Sequence, residues 1–257
     1  MMKIKTLGCY GGQLPGRNLT GLLLDGSILI DAGTVGLSAD IREQRKIKAA
    51  FISHAHLDHI GALPFYAVNI VSNKTGPVRI FGSRFTLDAV KNNIMNGVIW
   101  PDFTSIKNFG GSPVFKYEPV EPLKWIDACG YRVMPVGVNH SIPTVGYLIG
   151  KNSSYILYSG DTKDTDEIWK QGKKLGKKLK AAFIELAFPD EVAFLAESSC
   201  HLTPGTLEKQ LAKLLPEKPK IFVYHIKPEY IKEIKRGLKK IKGYDITIMD
   251  DGLTYKI

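Results

Sequence analysis

The stretch Phe51-Ile52-Ser53-His54-Ala55-His56-Leu57-Asp58-His59-Ile60-Gly61-Ala62-Leu63-Pro64 carries four metal-binding side chains within six positions, His54 to His59. An apolar run at 49–52 leads into it and reads as a buried strand. A short helix is expected to begin within 60–64 or just after. The donors then sit on a strand-to-helix loop at the carboxyl end of a strand, where open α/β sheets place their ligand sites. His54 and His56 are two apart, so an extended backbone points both to one side and they can share one ion. Asp58 and His59 follow the turn and can reach a second. Imidazole with carboxylate suits Zn²⁺, and also Fe or Mn. The competing reading is a surface loop with chance histidines. A His-x-His-x-Asp-His run directly after a buried strand argues against it.

The chain has 257 residues, room for one large domain or two small ones, and 44% of them are hydrophobic, enough for a substantial core. No apolar stretch reaches transmembrane length, and residues 1–8 read as a strand and a glycine turn, not a signal peptide. Cys9, Cys129 and Cys200 are odd in number and widely spaced, so no disulfide framework or paired-cysteine metal site is implied. A cytoplasmic protein is expected. The formal net charge of +10 fits either nucleic acid or small anionic substrates. Much of the charge lies in two lysine runs, at 170–180 and 232–242. In the second, Ile231, Ile234, Leu238 and Ile241 repeat at helical spacing, which makes its lysines the solvent face of an amphipathic helix rather than an RNA groove. The histidines number only six (54, 56, 59, 140, 201 and 225), and each of the last three follows or opens a short hydrophobic segment.

Residues 4–34 read as strands joined by turns. They include a hairpin about Asp25-Gly26 and a glycine-rich loop at 8–16. That loop lacks the lysine of a P-loop and reads as a plain turn. A helix is expected from Leu37 and Ile41. Beyond the histidine run come a strand at 78–81 and a helix at 86–95. The aromatic, irregular stretch 98–103 is either a loop plugging the core or a substrate wall in which Trp100 or Phe103 stacks on a flat ring. Strands are expected at 115–117, 123–126, 131–138, 144–149, 155–158, 181–185, 221–224 and 245–249. Helices are expected at 164–175, from Asp190, from Thr203-Pro204 with N-cap and N1 chemistry, and in the second lysine run. His140, Asp161 and His225 all stand just past strand ends. The order of strands, motif and helix occurs once in each half, which points to a duplicated αβ/βα sandwich, two face-to-face sheets with helices outside. One domain, 1–257, is expected.

These residues resemble the metallo-β-lactamase superfamily. The ligand order matches along nearly the whole chain: His54-x-His56-x-Asp58-His59, then His140, Asp161 and His225. The resemblance implies a four-layer α/β sandwich with two metals at one edge. One would take His54, His56, His140 and Asp161; the other would take Asp58, His59, Asp161 and His225. Within the superfamily the chain looks most like the class II cyclic nucleotide phosphodiesterases. The residues behind this are His56-Leu57-Asp58-His59, Asn139-His140-Ser141, Ser159-Gly160-Asp161-Thr162, Ile184-Glu185 with Phe188-Pro189, and His201-Leu202-Thr203-Pro204. Gly11-Gly12 and Asn18-Leu19 also fit.

The resemblance implies hydrolysis of a 3′,5′-cyclic nucleotide, cAMP or cGMP, to the 5′-monophosphate by a hydroxide activated between two divalent metals, most suitably Zn. Asp58 would orient the hydroxide. His201 would serve as general acid or phosphate hydrogen-bond donor, its alternative being a helix-capping or ligand-supporting histidine. Trp100, Phe103 and Asn69 are candidate base contacts. Two other readings stay open. One is an RNA-processing nuclease of the same fold, akin to a tRNA 3′-endonuclease, which the basic runs favour and the His201-Leu202-Thr203-Pro204 segment disfavours. The other is a non-catalytic nucleotide- or metal-binding module. A homodimer is the default assembly.

Overall fold

The computed structural model describes all 257 residues, and the chain order of its elements repeats. The first half runs β1 Lys3–Gly8, β2 Gly21–Leu24, β3 Ile28–Ile30, α1 Ile41–Gln44, β4 Ala49–Phe51, α2 Leu57–Ile60, α3 Leu63–Ile70, β5 Val78–Gly82, α4 Arg84–Asn93 and β6 Phe115–Pro119. The second runs β7 Ile126–Ala128, β8 Tyr131–Val138, β9 Thr144–Lys151, β10 Ser154–Tyr158, α5 Glu167–Lys174, β11 Leu179–Glu185, α6 Ala193–Ser199, α7 Pro204–Ala212, β12 Lys220–Tyr224, α8 Ile231–Leu238, β13 Ile246–Ile248 and β14 Thr254–Lys256. The strands form two seven-stranded sheets, ordered β14-β1-β2-β3-β4-β5-β6 and β13-β12-β11-β10-β9-β8-β7. Each sheet starts as an antiparallel meander and continues as parallel strands joined through helices. The last strand returns to the first sheet, where β14 pairs antiparallel with β1.

Alternation within single strands explains the layers. Leu22 and Leu24, Ile28 and Ile30, and Ala49 and Phe51 point into the core between the sheets. Their neighbours Leu23, Leu29 and Ala50 point the other way, under α3 and α4. Both faces are covered, so these strands read as unbroken apolar runs. Phe51 stacks on Phe81 at 4.7 Å and meets the edge of Tyr147 from the opposite sheet at 5.4 Å. On the outer side of the second sheet, the indole of the fully buried Trp169 donates to Gln210 Oε1 at 2.8 Å, tying α5 to α7. The Asp25-Gly26 hairpin turn has both residues at positive φ, 46° and 68°, the twist-matched geometry of a two-residue turn.

Several boundaries differ from expectation, each for a local reason. The helix after the histidine run starts at Leu57, not Ile60, with His56 as N-cap, so Asp58 and His59 ride on its single turn. α1 starts at Ile41 because Asp40 and Glu43 form a capping box. α4 starts at Arg84 because Ser83 caps Thr86 N. The expected strand at 123–126 is displaced to Ile126–Ala128, since Leu123 sits at a φ of 65° in a turn. The short β14 carried no sequence signal and exists through its pairing with β1. The lysines of both basic runs are exposed on the outer helical layer.

One bond fastens the sheets beside the site-bearing loop. Tyr147 Oη, buried on β9, donates to Ile52 O at 2.7 Å at the carboxyl end of β4. A Tyr147→Phe variant strands that carbonyl in an apolar layer. It is expected to lose about 1–3 kcal/mol in urea unfolding, and a loss near zero would show that the bond contributes nothing net.

Candidate metal centre

The candidate donors stand just past the carboxyl ends of strands or on the short turn after one, and one buried carboxylate orients His54 and His59. Asp31 follows β3 at a φ of 53°, a left-handed position that aspartate tolerates better than most residues. It accepts four hydrogen bonds: from Ser53 N at 2.7 Å, Ser53 Oγ at 2.8 Å, His59 Nδ1 at 2.8 Å, and Tyr158 Oη of the opposite sheet at 2.6 Å. Ser53 Oγ spends its proton on Asp31, so it accepts from His54 Nδ1 at 2.9 Å. The His54 Nε2 lone pair is thereby turned inward. The same logic applies to His140, whose Nδ1 donates to the Cys200 carbonyl at 3.1 Å. His225 is held at Nδ1 by Thr20 Oγ1 at 3.1 Å. Backbone bonds lock the loop as well: Ala32 N to His59 O at 2.7 Å and Ala62 N to Ala32 O at 2.8 Å.

The free ring nitrogens converge. His56 Nδ1 lies 3.1 Å from His54 Nε2 and 3.2 Å from His140 Nε2. Asp161 Oδ2 lies 3.2 Å from His59 Nε2, 3.1 Å from His225 Nε2 and 3.8 Å from His54 Nε2. Asp58 Oδ2 lies 3.8 Å from His225 Nε2 and 4.0 Å from His59 Nε2. Two donor groups result, His54–His56–His140 and Asp58–His59–His225, each with its atoms within 4.8 Å of one another. Asp161 falls within the same reach of His54 and His59, and so stands between the groups.

This arrangement suits divalent cations. His59 Nε2, His225 Nε2 and Asp161 Oδ1 are buried without a hydrogen-bond partner, the short approaches to Asp161 Oδ2 being out of alignment. Orphaned buried polar atoms are costly, and a cation in contact with these lone pairs relieves them. Burial, reinforced by the neighbouring imidazole of His59, holds His54 and His225 well below the usual histidine range. Burial also lowers His56 and His140. All four are neutral rings with a lone pair to offer. His59 differs: burial pulls it down, but Asp161 and Asp31 outweigh that and hold it well above its ordinary value.

Beside the donors stands a second buried pair. His201 Nδ1 donates to Glu185 Oε1 at 3.1 Å, and the same oxygen accepts from Thr162 N at 3.1 Å and Leu202 N at 3.2 Å. Burial pushes the Glu185 carboxyl up. Burial also pulls His201 down, but the Glu185 carboxylate more than offsets this, and the imidazole stays above its ordinary value. The His201 ring stacks on His225 at 5.2 Å and lies 5.1 Å from His140, so it faces the donor groups.

The structure thus brings His54, His56, Asp58, His59, His140, Asp161 and His225 to one place, with His201 beside them. It does not bring Phe103. That ring is 4% exposed in the core layer under the first sheet, packed against Phe115, and has no free face for a substrate; this corrects the reading of it as a stacking wall. Trp100 is half-buried, its indole tied to Pro64 O at 3.0 Å and its ring edge-on to Phe65 at 5.2 Å. Sequence reasoning gave Asp31 and Thr20 no role in the site, and it named Gly11 only as part of the resemblance. A Cβ on Gly11 would lie 2.6 Å from His225 O and 2.8 Å from His225 Nε2, so the glycine is required by close approach to a donor. Their only signals were an aspartate directly after an apolar strand and a doubled glycine.

The comparisons with known proteins bear on the family and the fold. A family model described as class-II cAMP phosphodiesterases matches residues 38–233. A probable 3′,5′-cyclic-nucleotide phosphodiesterase of Yersinia pestis is 28% identical over 246 residues, covering 83% of this chain and 69% of the relative. Among solved structures, unliganded yeast PDE1 superposes with a TM-score of 0.81 at 19% identity, covering 98% of both chains. The metallo-β-lactamase fold protein YhfI of Bacillus subtilis superposes with a TM-score of 0.79 at 17% identity, covering 100% of both. The architecture is therefore the metallo-β-lactamase fold.

If Asp31 orients the donors, Asp31→Asn, which keeps the shape and removes the charge, should weaken divalent-metal retention about 10–100-fold, measured by competition with a chromophoric chelator. Retention equal to wild type would confine Asp31 to holding the Ser53 turn.

Proposed function

The chain belongs to the class-II cAMP phosphodiesterase family, and on that premise we propose that it hydrolyses 3′,5′-cyclic nucleotides, cAMP or cGMP, to their 5′-monophosphates at a dinuclear metal centre. The observation that carries this reading is the convergence of two donor groups on one shared carboxylate, Asp161, with the Glu185–His201 pair at their side. His54, His56, His140 and Asp161 would hold one ion. Asp58, His59, Asp161 and His225 would hold the other. Zinc suits the imidazole-rich set best, and iron or manganese would also fit. When bound, such ions would supply Lewis-acid polarisation of phosphate oxygens and lower the pKa of a water toward about 7.

The chain's own residues do the rest. Asp58, partly exposed on its helical turn, accepts a hydrogen bond from the attacking water and aims it at phosphorus. Attack breaks the bond from phosphorus to the 3′ oxygen, and the departing oxygen needs a proton. His201 is placed to give it. Its Nδ1–H is spent on Glu185, which leaves Nε2 toward the donor groups, and the carboxylate favours the protonated ring. Thr162 N and Leu202 N hold Glu185 in turn, so the imidazole is fixed before substrate arrives.

The direct test is turnover of zinc-loaded protein on cAMP and cGMP. Bis(p-nitrophenyl) phosphate and a 3′-extended tRNA precursor run beside them, with EDTA controls. EDTA-sensitive release of 5′-AMP or 5′-GMP without tRNA cleavage is expected. Cleavage of the generic diester or the RNA with no cyclic nucleotide turnover would move the protein to the nuclease reading. His201→Ala should keep its metal content and lose about 10²–10⁴ in kcat. Full activity in that variant would remove His201 from the mechanism.

A further inference from the structure

A cavity of about 640 Å³, within the usual range for small-molecule sites, opens between the glycine-rich loop and α2–α3. Both of its walls continue from donors of one group. On one side, Leu57 and Gly61 flank Asp58 and His59. The opposing backbone at Gly33 presses on Asp58 so closely that a Cβ there would lie 1.9 Å from Asp58 O. On the other side stands Gln13, two residues after the Gly11 that packs on His225. A phosphate bound to an ion that Asp58, His59 and His225 would hold therefore has this cavity beside it.

The lining has the composition of a base site. Leu57 and Phe65 also line it, and they are 66% and 61% exposed, a cost that a soluble protein offsets when a flat apolar ligand covers such side chains. Phe65 is nonetheless steadied from behind by the edge of Trp100. Asn69, at the far wall, has its amide orientation set by a chain of bonds. Gln44 Nε2 donates to the Ala39 carbonyl at 2.7 Å, which leaves Gln44 Oε1 to accept from Asn69 Nδ2 at 2.9 Å. The acceptor Oδ1 and one N–H of Asn69 remain for a ligand. That acceptor–donor couple is what a purine edge pairs with.

We propose that this cavity takes the purine base of the cyclic nucleotide, with Phe65 and Leu57 packing on the ring and Asn69 reading its polar edge. The proposal rests on the cyclic nucleotide reading above and transfers the base contact from Phe103 and Trp100 to these residues. An aspartate at 69 offers acceptors only. It loses the partner of an adenine ring nitrogen and the bond to Gln44 Oε1, and offers its acceptors to the adjacent N1–H and N2–H of guanine.

The test compares wild type, Phe65→Ala and Asn69→Asp by steady-state kinetics on cAMP and cGMP and by calorimetric affinity for 5′-AMP and 5′-GMP, with metal content measured for each. Phe65→Ala should raise KM for both nucleotides about 5–150-fold, the range for loss of one stacking ring. Asn69→Asp should raise the cGMP-to-cAMP ratio of kcat/KM about tenfold or more, one good bidentate contact's worth of discrimination. A loss of folding would move both nucleotides alike and would not change that ratio. Wild-type turnover with an unchanged ratio in Asn69→Asp and an unchanged KM in Phe65→Ala would overturn the base pocket alone. Absence of cyclic nucleotide turnover in wild type, with generic diester cleavage intact, would overturn the underlying reading and the pocket with it.

Discussion

The Asp31 carboxylate is the constraint on which the site depends. It is fully buried, yet it gathers Ser53 and His59 from the loop after β4 and Tyr158 from the end of β10. Those elements belong to different sheets. Asp161 follows Tyr158 by three residues, so this bond, one of several between the sheets, also sets where the Asp161 carboxylate stands relative to the histidine run. Four donors to one carboxylate satisfy a charge that would otherwise be very expensive to bury. The outcome is a site built on rigid strand ends, whose ring orientations are decided by groups outside the site.

The electrostatics are those of a protein arranged for cations. Five imidazoles and two carboxylates lie close together, four of the rings are pushed toward neutrality by burial, and three buried polar atoms lack partners. Such a cluster weakens the fold when left alone and strengthens it when cations satisfy its lone pairs. The Glu185–His201 pair beside it has the opposite character: its carboxylate is committed to three donors and favours a proton on the ring. One edge of the sandwich thus sets four rings pushed toward neutrality beside His201, on which the Glu185 carboxylate favours a proton. The basic helices lie on the outer layer and take no part in this geometry.

Two aromatic residues from the same irregular segment show how far residue type alone carries. Trp100 and Phe103 looked equivalent as stacking candidates. Packing separated them: Phe103 fills the core beneath the first sheet, and Trp100 buttresses Phe65. The exposed ring comes instead from α3, where the periodicity alone gives no reason to single out Phe65. Likewise, the helical turn bearing Asp58 and His59 began earlier than composition suggested: His56 is still extended at the N-cap, and the chain turns helical directly after it, at Leu57.

By itself, the sequence determined the central strands, though not β14 or the place of β7, since unbroken apolar runs bounded by turn residues can be satisfied only with both faces covered. It also singled out four candidate donors, His54, His56, Asp58 and His59, since His-x-His-x-Asp-His after a buried strand has few other uses; His140, Asp161 and His225 were joined to them as a ligand set by the resemblance. The duplicated plan of two αβ halves was readable for the same reason, periodicity being a local property. The tertiary structure decided what depends on residues far apart in the chain: Asp31 meeting Tyr158, Thr20 meeting His225, Gly11 giving way to a histidine ring, and β14 closing the first sheet. No short-range pattern encodes those meetings. They follow from the packing of one sheet on the other, which turns separated polar residues into a single site.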